Sequence, residues 1–302
     1  MNIEKLFPET KDYIWGGNKL RDYGKKSDKD RIAESWELSF HPDGPSRLAD
    51  GRELKDVATK KDWGENAVKF PFFPILIKFI DAKDNLSVQV HPSDEYALKN
   101  EGQFGKTEMW YIVDAEEGAG IYLGLKRDVT AEEFGKAIEN GTVLDLLNFF
   151  KVKKGDHYFI ESGTVHAIGK GCLIAEIQQN SNLTYRVYDY GRKDKNGKGR
   201  ELHVEKAKKV ANLSAFHNAP LNEDYNGGKL IGECKYFKVA KYSIGGEKKF
   251  VADDKSFKAV TVLSGEGKVG DWAAKRGDTF FVPASYGEFI VTGNMEIIVS
   301  EV

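Results

Sequence analysis

The sequence predicts an all-β sandwich or barrel with inserted helices, and three observations carry that expectation. Short runs rich in Val, Ile, Tyr and Phe recur along the chain between Gly, Asp and Asn turns. Such runs suit half-buried strands, and the closely spaced turn signals leave little room for long helices. Helical periodicity is confined to two stretches, and one strand-and-turn segment occurs twice. In chain order, strands are expected over 73–80, 86–90, 109–113, 158–160, 173–178, 184–188, 237–242, 259–263, 279–282 and 296–299. Thr130-Ala-Glu-Glu133 has the spacing of a capping box, and Phe134, Ile138, Leu144, Leu147 and Phe150 follow as an apolar set, so a helix is expected over about 130–150. A second is expected over 201–213, where Leu202, Val204 and Val210 lie among lysines, and 191–200 reads as a solvated loop rich in Gly, Asn and charge.

The duplicated segment aligns without gaps. Lys153-Lys-Gly-Asp-His-Tyr-Phe-Ile-Glu-Ser-Gly-Thr-Val-His166 faces Lys275-Arg-Gly-Asp-Thr-Phe-Phe-Val-Pro-Ala-Ser-Tyr-Gly-Glu288. The copies lie about 120 residues apart, against the ~20–50 of a solenoid array. Two related β-units are therefore expected, 1–220 and 221–302. His166 in the first copy is replaced by Glu288 in the second, so chemistry is expected in the first unit alone.

The 302 residues suffice for two domains, and a formal net charge of −2 creates no basic field for nucleic acid or an anionic membrane. Cys172 and Cys234 are too few for a disulfide framework and read as reduced thiols. The first residues lack the apolar run of a signal peptide, and the apolar stretch 70–80 is too short and too Pro-rich to span a bilayer, so a cytoplasmic location is expected. Nothing in the pattern specifies an oligomeric state.

In the run Leu86-Ser-Val-Gln-Val-His91 the polar residues alternate with apolar ones, so Ser87, Gln89 and His91 share one face of a strand. Glu108 opens the apolar strand Met109-Trp-Tyr-Ile-Val, and His166 follows the turn Gly163-Thr-Val. Two imidazoles and a carboxylate suit zinc or non-haem iron, and leave a divalent ion with residual positive charge to act on a substrate oxygen. His41, His157, His203 and His217 have no partner at ligand spacing and read as structural or surface; Trp15, Trp36 and Trp110 read as core.

The segment Gly155-(five residues)-Glu161-Ser-Gly163-Thr-Val-His166 resembles the second cupin motif, with Glu161 in place of the usual proline. A wider set resembles the type I phosphomannose isomerases, in particular their short bacterial form. It comprises Tyr13-Ile-Trp-Gly-Gly17, Ala33-Glu-Ser-Trp-Glu-Leu-Ser39, Lys78, Ser87-Val-Gln-Val-His-Pro92, Lys106-Thr-Glu108, Gly163-Thr-Val-His-Ala167, Glu176-Ile-Gln-Gln-Asn-Ser-Asn182 and Tyr185-Arg186. These pieces span most of residues 1–200 in the family's order. The resemblance implies tandem cupin-like jelly-roll barrels and interconversion of mannose 6-phosphate and fructose 6-phosphate through an enediol. It implies one Zn2+ per chain, held by Gln89, His91, Glu108 and His166; Gln89 enters through the resemblance alone. It also implies Ser87, Lys78 and Arg192 on the phosphate side, and Lys106, Glu176 and Arg186 in the catalytic cleft, with a one-residue gap needed to place Glu176.

The chemistry asks for such groups independently. Moving a proton between neighbouring carbons needs a base, for which Glu176 and Lys106 both stand, and cations aimed at the developing oxyanions. An iron(II) cupin oxygenase would use the same trio but leaves Gln89, Lys78, Arg186 and Arg192 without a role. A non-catalytic sugar-binding cupin is the other alternative.

Overall fold

Strand pairing between segments far apart in the chain organises the computed structural model, which describes residues 1–193 and 197–302. The chain forms two units, each assembled from separate stretches: 1–81, 175–180 and 220–302 make the first, and 82–174 and 181–219 the second. Secondary structure is mostly β. Among the described residues no helix is long and apolar enough to cross a membrane.

In the first unit, Lys238–Ala252 and Gly287–Glu301 pair antiparallel along their whole length. Lys258–Val269 flanks Gly287–Glu301, Thr279–Val282 flanks Lys258–Val269, and Glu4–Leu6 pairs with Thr279–Val282. Alternate residues of these strands, among them Val260, Val262, Phe280, Val282, Phe289, Val291 and Ile297, form one apolar core. Glu9–Lys11, Glu34–Leu38 and Ile75–Ala82 are successive antiparallel neighbours. The grouping of 1–81 with 220–302 joins the two ends of the chain. Its reason is that Glu4–Leu6 completes the C-terminal sheet, and the buried Lys25 ammonium donates to Glu37 at 2.7 Å and to the Gly277 carbonyl.

The second unit contains a five-stranded sheet in the order Tyr185–Tyr188, Val88–Val90, His166–Ile168, Gly120–Leu125, Leu147–Lys151. Glu108–Ala115 pairs with His157–Ile160. The apolar face of the first sheet (Val88, Val90, Leu125, Val165, Tyr185, Val187) is buried against Phe134 and Ile138 of helix Ala131–Glu139 and Ala207 of helix Val204–Val210. Thr130 caps the first helix as expected, its hydroxyl accepting from the Glu133 amide at 3.1 Å. That helix stops at Glu139, short of the expected 150: a short turn of helix follows at Val143–Leu146, and Leu147–Lys151 is a strand paired with Gly120–Leu125. A free sheet edge captured the apolar residues that helical spacing had claimed. The expected loop 191–200 lies partly outside the described residues.

The two copies of the repeat have the same local structure. Gly155 and Gly277 both adopt positive φ, 95° and 91°, which side-chain-bearing residues avoid. In each copy the following Asp turns back to accept from the lysine amide two residues before the glycine, Asp156 from Lys153 and Asp278 from Lys275, both at 2.9 Å. Strands His157–Ile160 and Thr279–Val282 then follow. In the second copy Glu288 is exposed and pairs with Lys249.

Candidate active site and metal centre

The register of three neighbouring strands sets out the centre. Gln89 stands directly opposite His166 on one side and Arg186 on the other, and residues facing one another across antiparallel strands project to the same face. Alternation brings Ser87 and His91 onto that face, while Val88 and Val90 point into the apolar core. Glu108 enters from the start of its own strand, fully buried.

His91, Glu108 and His166 come together: one ligand atom of each lies within 4.8 Å of the others. His91 Nε2 is 3.7 Å and His166 Nε2 3.3 Å from the Glu108 carboxylate, and both imidazoles are 1% exposed. Each ring is oriented from behind. His91 Nδ1 lies 2.8 Å from the Leu183 carbonyl, and His166 Nδ1 lies 2.8 Å from the Thr164 carbonyl. A carbonyl only accepts, so each Nδ1 carries the proton and each Nε2 turns its lone pair to the centre. The Gln89 amide lies 3.4 Å from both Nε2 atoms, so its oxygen comes to the same point by a half-turn of the amide. Two nitrogen lone pairs, a carboxylate and an amide oxygen form a donor set that fits a divalent metal ion. Lys106 adds a cation, its Nζ 2.5 Å from Glu108 and 3.4 Å from His91 Nε2.

Arg186 is tied down at both ends of its side chain and along its backbone. Nε donates to Ser87 Oγ at 3.2 Å and Nη1 to the Glu201 carbonyl at 3.1 Å. The Arg186 backbone amide donates to His203 Nδ1 at 3.2 Å, and its carbonyl accepts from the His203 amide at 2.7 Å. His203, read from the sequence as structural or surface, is thus the backbone clamp of a candidate catalytic arginine. Burial, then the nearby Arg200, presses the Arg186 pKa below its usual value. Arg192 donates from Nη1 to the Asn85 carbonyl at 2.6 Å and from Nη2 to Asp189 at 2.5 Å.

Lys78 and Glu176 belong to the first unit. The Lys78 ammonium lies 3.5 Å from Glu176 and 3.7 Å from Glu34, over the ring of Trp36 at 5.0 Å, and is 4% exposed. A charge shared between two carboxylates in a dry site is positioned rather than solvated. Sequence reasoning assigned no site role to Asp189 or Arg200; they lie eleven positions apart, across a stretch read as a solvated loop, where no regular period brings side chains together.

Comparison with known proteins gives this geometry a context. The family model described as "Phosphomannose isomerase type I, catalytic domain" matches residues 3–119, and the one described as "Mannose-6-phosphate isomerase, cupin domain" matches 228–302. Mannose-6-phosphate isomerase ManA of Bacillus subtilis (strain 168) is 41% identical over 318 residues, covering 99% of each chain. The chain belongs to the type I phosphomannose isomerase family. Another relative, the mannose-6-phosphate isomerase of Streptococcus mutans, is 38% identical over 98% of each chain. The solved mannose 6-phosphate isomerase of Bacillus subtilis superposes over 100% of both chains with a TM-score of 0.90 at 39% identity. The match to the phosphomannose isomerase catalytic domain takes in Gln89, His91, Lys106 and Glu108, whereas His166, Arg186 and Arg192 fall between the two matched regions.

Proposed function

We propose that this chain interconverts mannose 6-phosphate and fructose 6-phosphate, with one zinc ion held by Gln89, His91, Glu108 and His166. The observation that carries the reading is the buried two-histidine, one-carboxylate cluster beside a glutamine amide, in a chain of the phosphomannose isomerase family. Zinc, when bound, supplies the positive charge that polarises a sugar oxygen.

The remaining chemistry belongs to the chain's own residues. In the forward direction the proton on C2 of the aldose ends on C1 and the hydroxyl proton of O2 ends on O1, so the reaction needs no oxidant. An enediol lies between the two carbonyl forms. Lys106 and Glu176 are the two groups suited to move the carbon-bound proton, and the Arg186 guanidinium stabilises negative charge on the sugar oxygens. Its bond to Ser87 holds the fork in place before substrate arrives. Ser87, Lys78 and Arg192 serve the phosphate, Arg192 through a planar fork suited to its oxygens.

At the level of the fold, the repeat at 153–166 and 275–288 supports a tandem cupin-like jelly-roll architecture. In it residues 1–220 supply the catalysis, and 221–302 form a related β-domain whose repeat copy carries Glu288 in place of the ligand His166. The net charge of −2 fits a cytoplasmic enzyme of small sugar phosphates.

The test is a coupled isomerase assay on mannose 6-phosphate run beside metal analysis. About one zinc per chain is expected, with turnover lost on chelation and regained on adding zinc. Undiminished turnover in metal-free protein, or iron with substrate-dependent oxygen uptake, overturns the reading.

A further inference from the structure

We propose that Arg200 is a second arginine, beside Arg192, of the site that receives the dianionic end of the substrate, held ready for it by Asp189; the assignment rests on the sugar-phosphate reading above.

Two guanidinium groups of the second unit, those of Arg192 and Arg200, grip one carboxylate. Asp189 is 6% exposed. It accepts from Arg192 through Nη2 at 2.5 Å and Nε at 3.2 Å, and from Arg200 through Nε at 2.7 Å and through Nη2. Both arginines are fastened side-on to the same acceptor. Arg186 lies three residues before Asp189, on the strand Tyr185–Tyr188. Ser87 Oγ, bonded to Arg186 Nε, adds a hydroxyl, itself buried.

Charge separates a structural salt bridge from a binding site here. A structural ion pair in a partly dry place balances its charges, because an uncompensated cation costs several kcal/mol to desolvate. Among the described residues, Arg192 and Arg200 against Asp189 leave a surplus of one positive charge. Among the described residues, Glu201 is the neighbouring carboxylate; its side chain is exposed, and it meets Arg186 through its backbone carbonyl. A phosphate ester near neutral pH carries roughly two negative charges, so it compensates that surplus and draws on the Lys78 charge assigned to the same group. The arrangement is also half-formed for that purpose: Arg192 keeps one fork on Asp189 and spends Nη1 on the Asn85 carbonyl, whereas Arg200, 29% exposed along its side chain, has its donors to Asp189 only on the Nε–Nη2 edge. The Nη1 end of Arg200 remains to meet an incoming oxygen. Asp189 would then be a positioning residue, setting the planes of two guanidinium groups before the ligand arrives, and so reducing the ordering cost of binding.

Arg200→Met and Arg200→Lys, with Asp189→Asn beside them, test the assignment through three readouts: steady-state kinetics on mannose 6-phosphate, competitive inhibition by inorganic phosphate, and metal content. Losing one charge-assisted contact of roughly 1.5–3 kcal/mol corresponds to about ten- to a hundredfold. Arg200→Met is expected to raise KM and the inhibition constant for phosphate by that factor, with KM rising more than kcat falls and metal content unchanged. Arg200→Lys restores part of the loss, because it keeps the charge and loses the fork. Asp189→Asn raises KM with the phosphate inhibition constant moving in parallel. An Arg200→Met protein with unaltered KM and unaltered phosphate inhibition overturns the assignment, and should that variant fail to fold, the same result with Arg200→Lys does so. If the wild-type chain shows no isomerase turnover, titration with inorganic phosphate decides separately: binding lost in Arg200→Met upholds the cradle while the isomerase reading falls, and binding retained removes both.

Discussion

His166 illustrates how a single side chain can be prepared for one task. Its Nδ1 is committed to the Thr164 carbonyl, its ring is 1% exposed, and its Nε2 faces Glu108 at 3.3 Å. His166→Ala removes a nitrogen donor that no neighbour replaces in kind, so metal content should fall well below one per chain and kcat/KM by more than about a hundredfold, the larger end of what losing even an outer partner costs. Metal analysis beside the coupled assay reads both. Lys25 is the structural counterpart in the first unit. It meets Glu37 in a site where the carboxylate is fully buried, and burial, against the pull of Lys25, raises the Glu37 pKa above its ordinary 4.5. Lys25→Met leaves that carboxylate without its cation, and a loss of about 3–5 kcal/mol is expected near pH 8. The sign follows from linkage. A carboxyl whose folded pKa is raised is favoured protonated, so the penalty shrinks as pH falls toward 4.5 and Glu37 takes up a proton in both states. Denaturant unfolding at the two ends of that range checks it, and a penalty independent of pH would refute the account.

Among the elements, the long strands of the first unit were the least readable in advance. Lys258–Val269 and Gly287–Glu301 extend far beyond the expected 259–263 and 296–299. Their glycines read as turn signals, yet Gly267 sits opposite Gly293 within the ladder. A Cβ at Gly267 would lie 1.9 Å from the Thr292 carbonyl oxygen, so the glycine admits a close backbone approach and does not end the strand. Gly267→Val should therefore destabilise by at least the ~3 kcal/mol upper end of ordinary overpacking, seen as a lower denaturation midpoint. The helix at Ala131–Glu139 shows the opposite case. Its start was legible because Thr130 and Glu133 lie three residues apart and signal through a local hydrogen bond, while its end was not, because the strand Leu147–Lys151 exists only through its partner Gly120–Leu125.

Across the whole molecule, proton uptake gives a shared measure of how the parts are packed. His41 and His203, one in each unit, both have pKa values below the ordinary 6.5, with burial the first cause in each. As pH falls below 6.5 the unfolded chain binds those protons before the folded chain does, so stability is full above 6.5 and declines as pH drops toward the depressed values. Thermal unfolding followed from pH 8 to pH 5.5 should show a falling Tm over that window, and the fall should be shallower in His41→Gln.

The repeat, the capped helix start, most strand centres and the cluster of His91, Glu108 and His166 were readable from the chain alone. Each of them depends on short-range rules: alternation of side chains along a strand, the backbone demands of a tight turn, and the chemistry of residue types. Pairing between distant segments followed no such rule. The joining of 1–81 to 220–302, the full extent of the long strands, the clamp of His203 on Arg186 and the meeting of Asp189 with Arg200 arose from which apolar faces could be buried together and which buried charges could find a partner. Those choices are made by the free energy of the assembled chain, and a local pattern does not contain them.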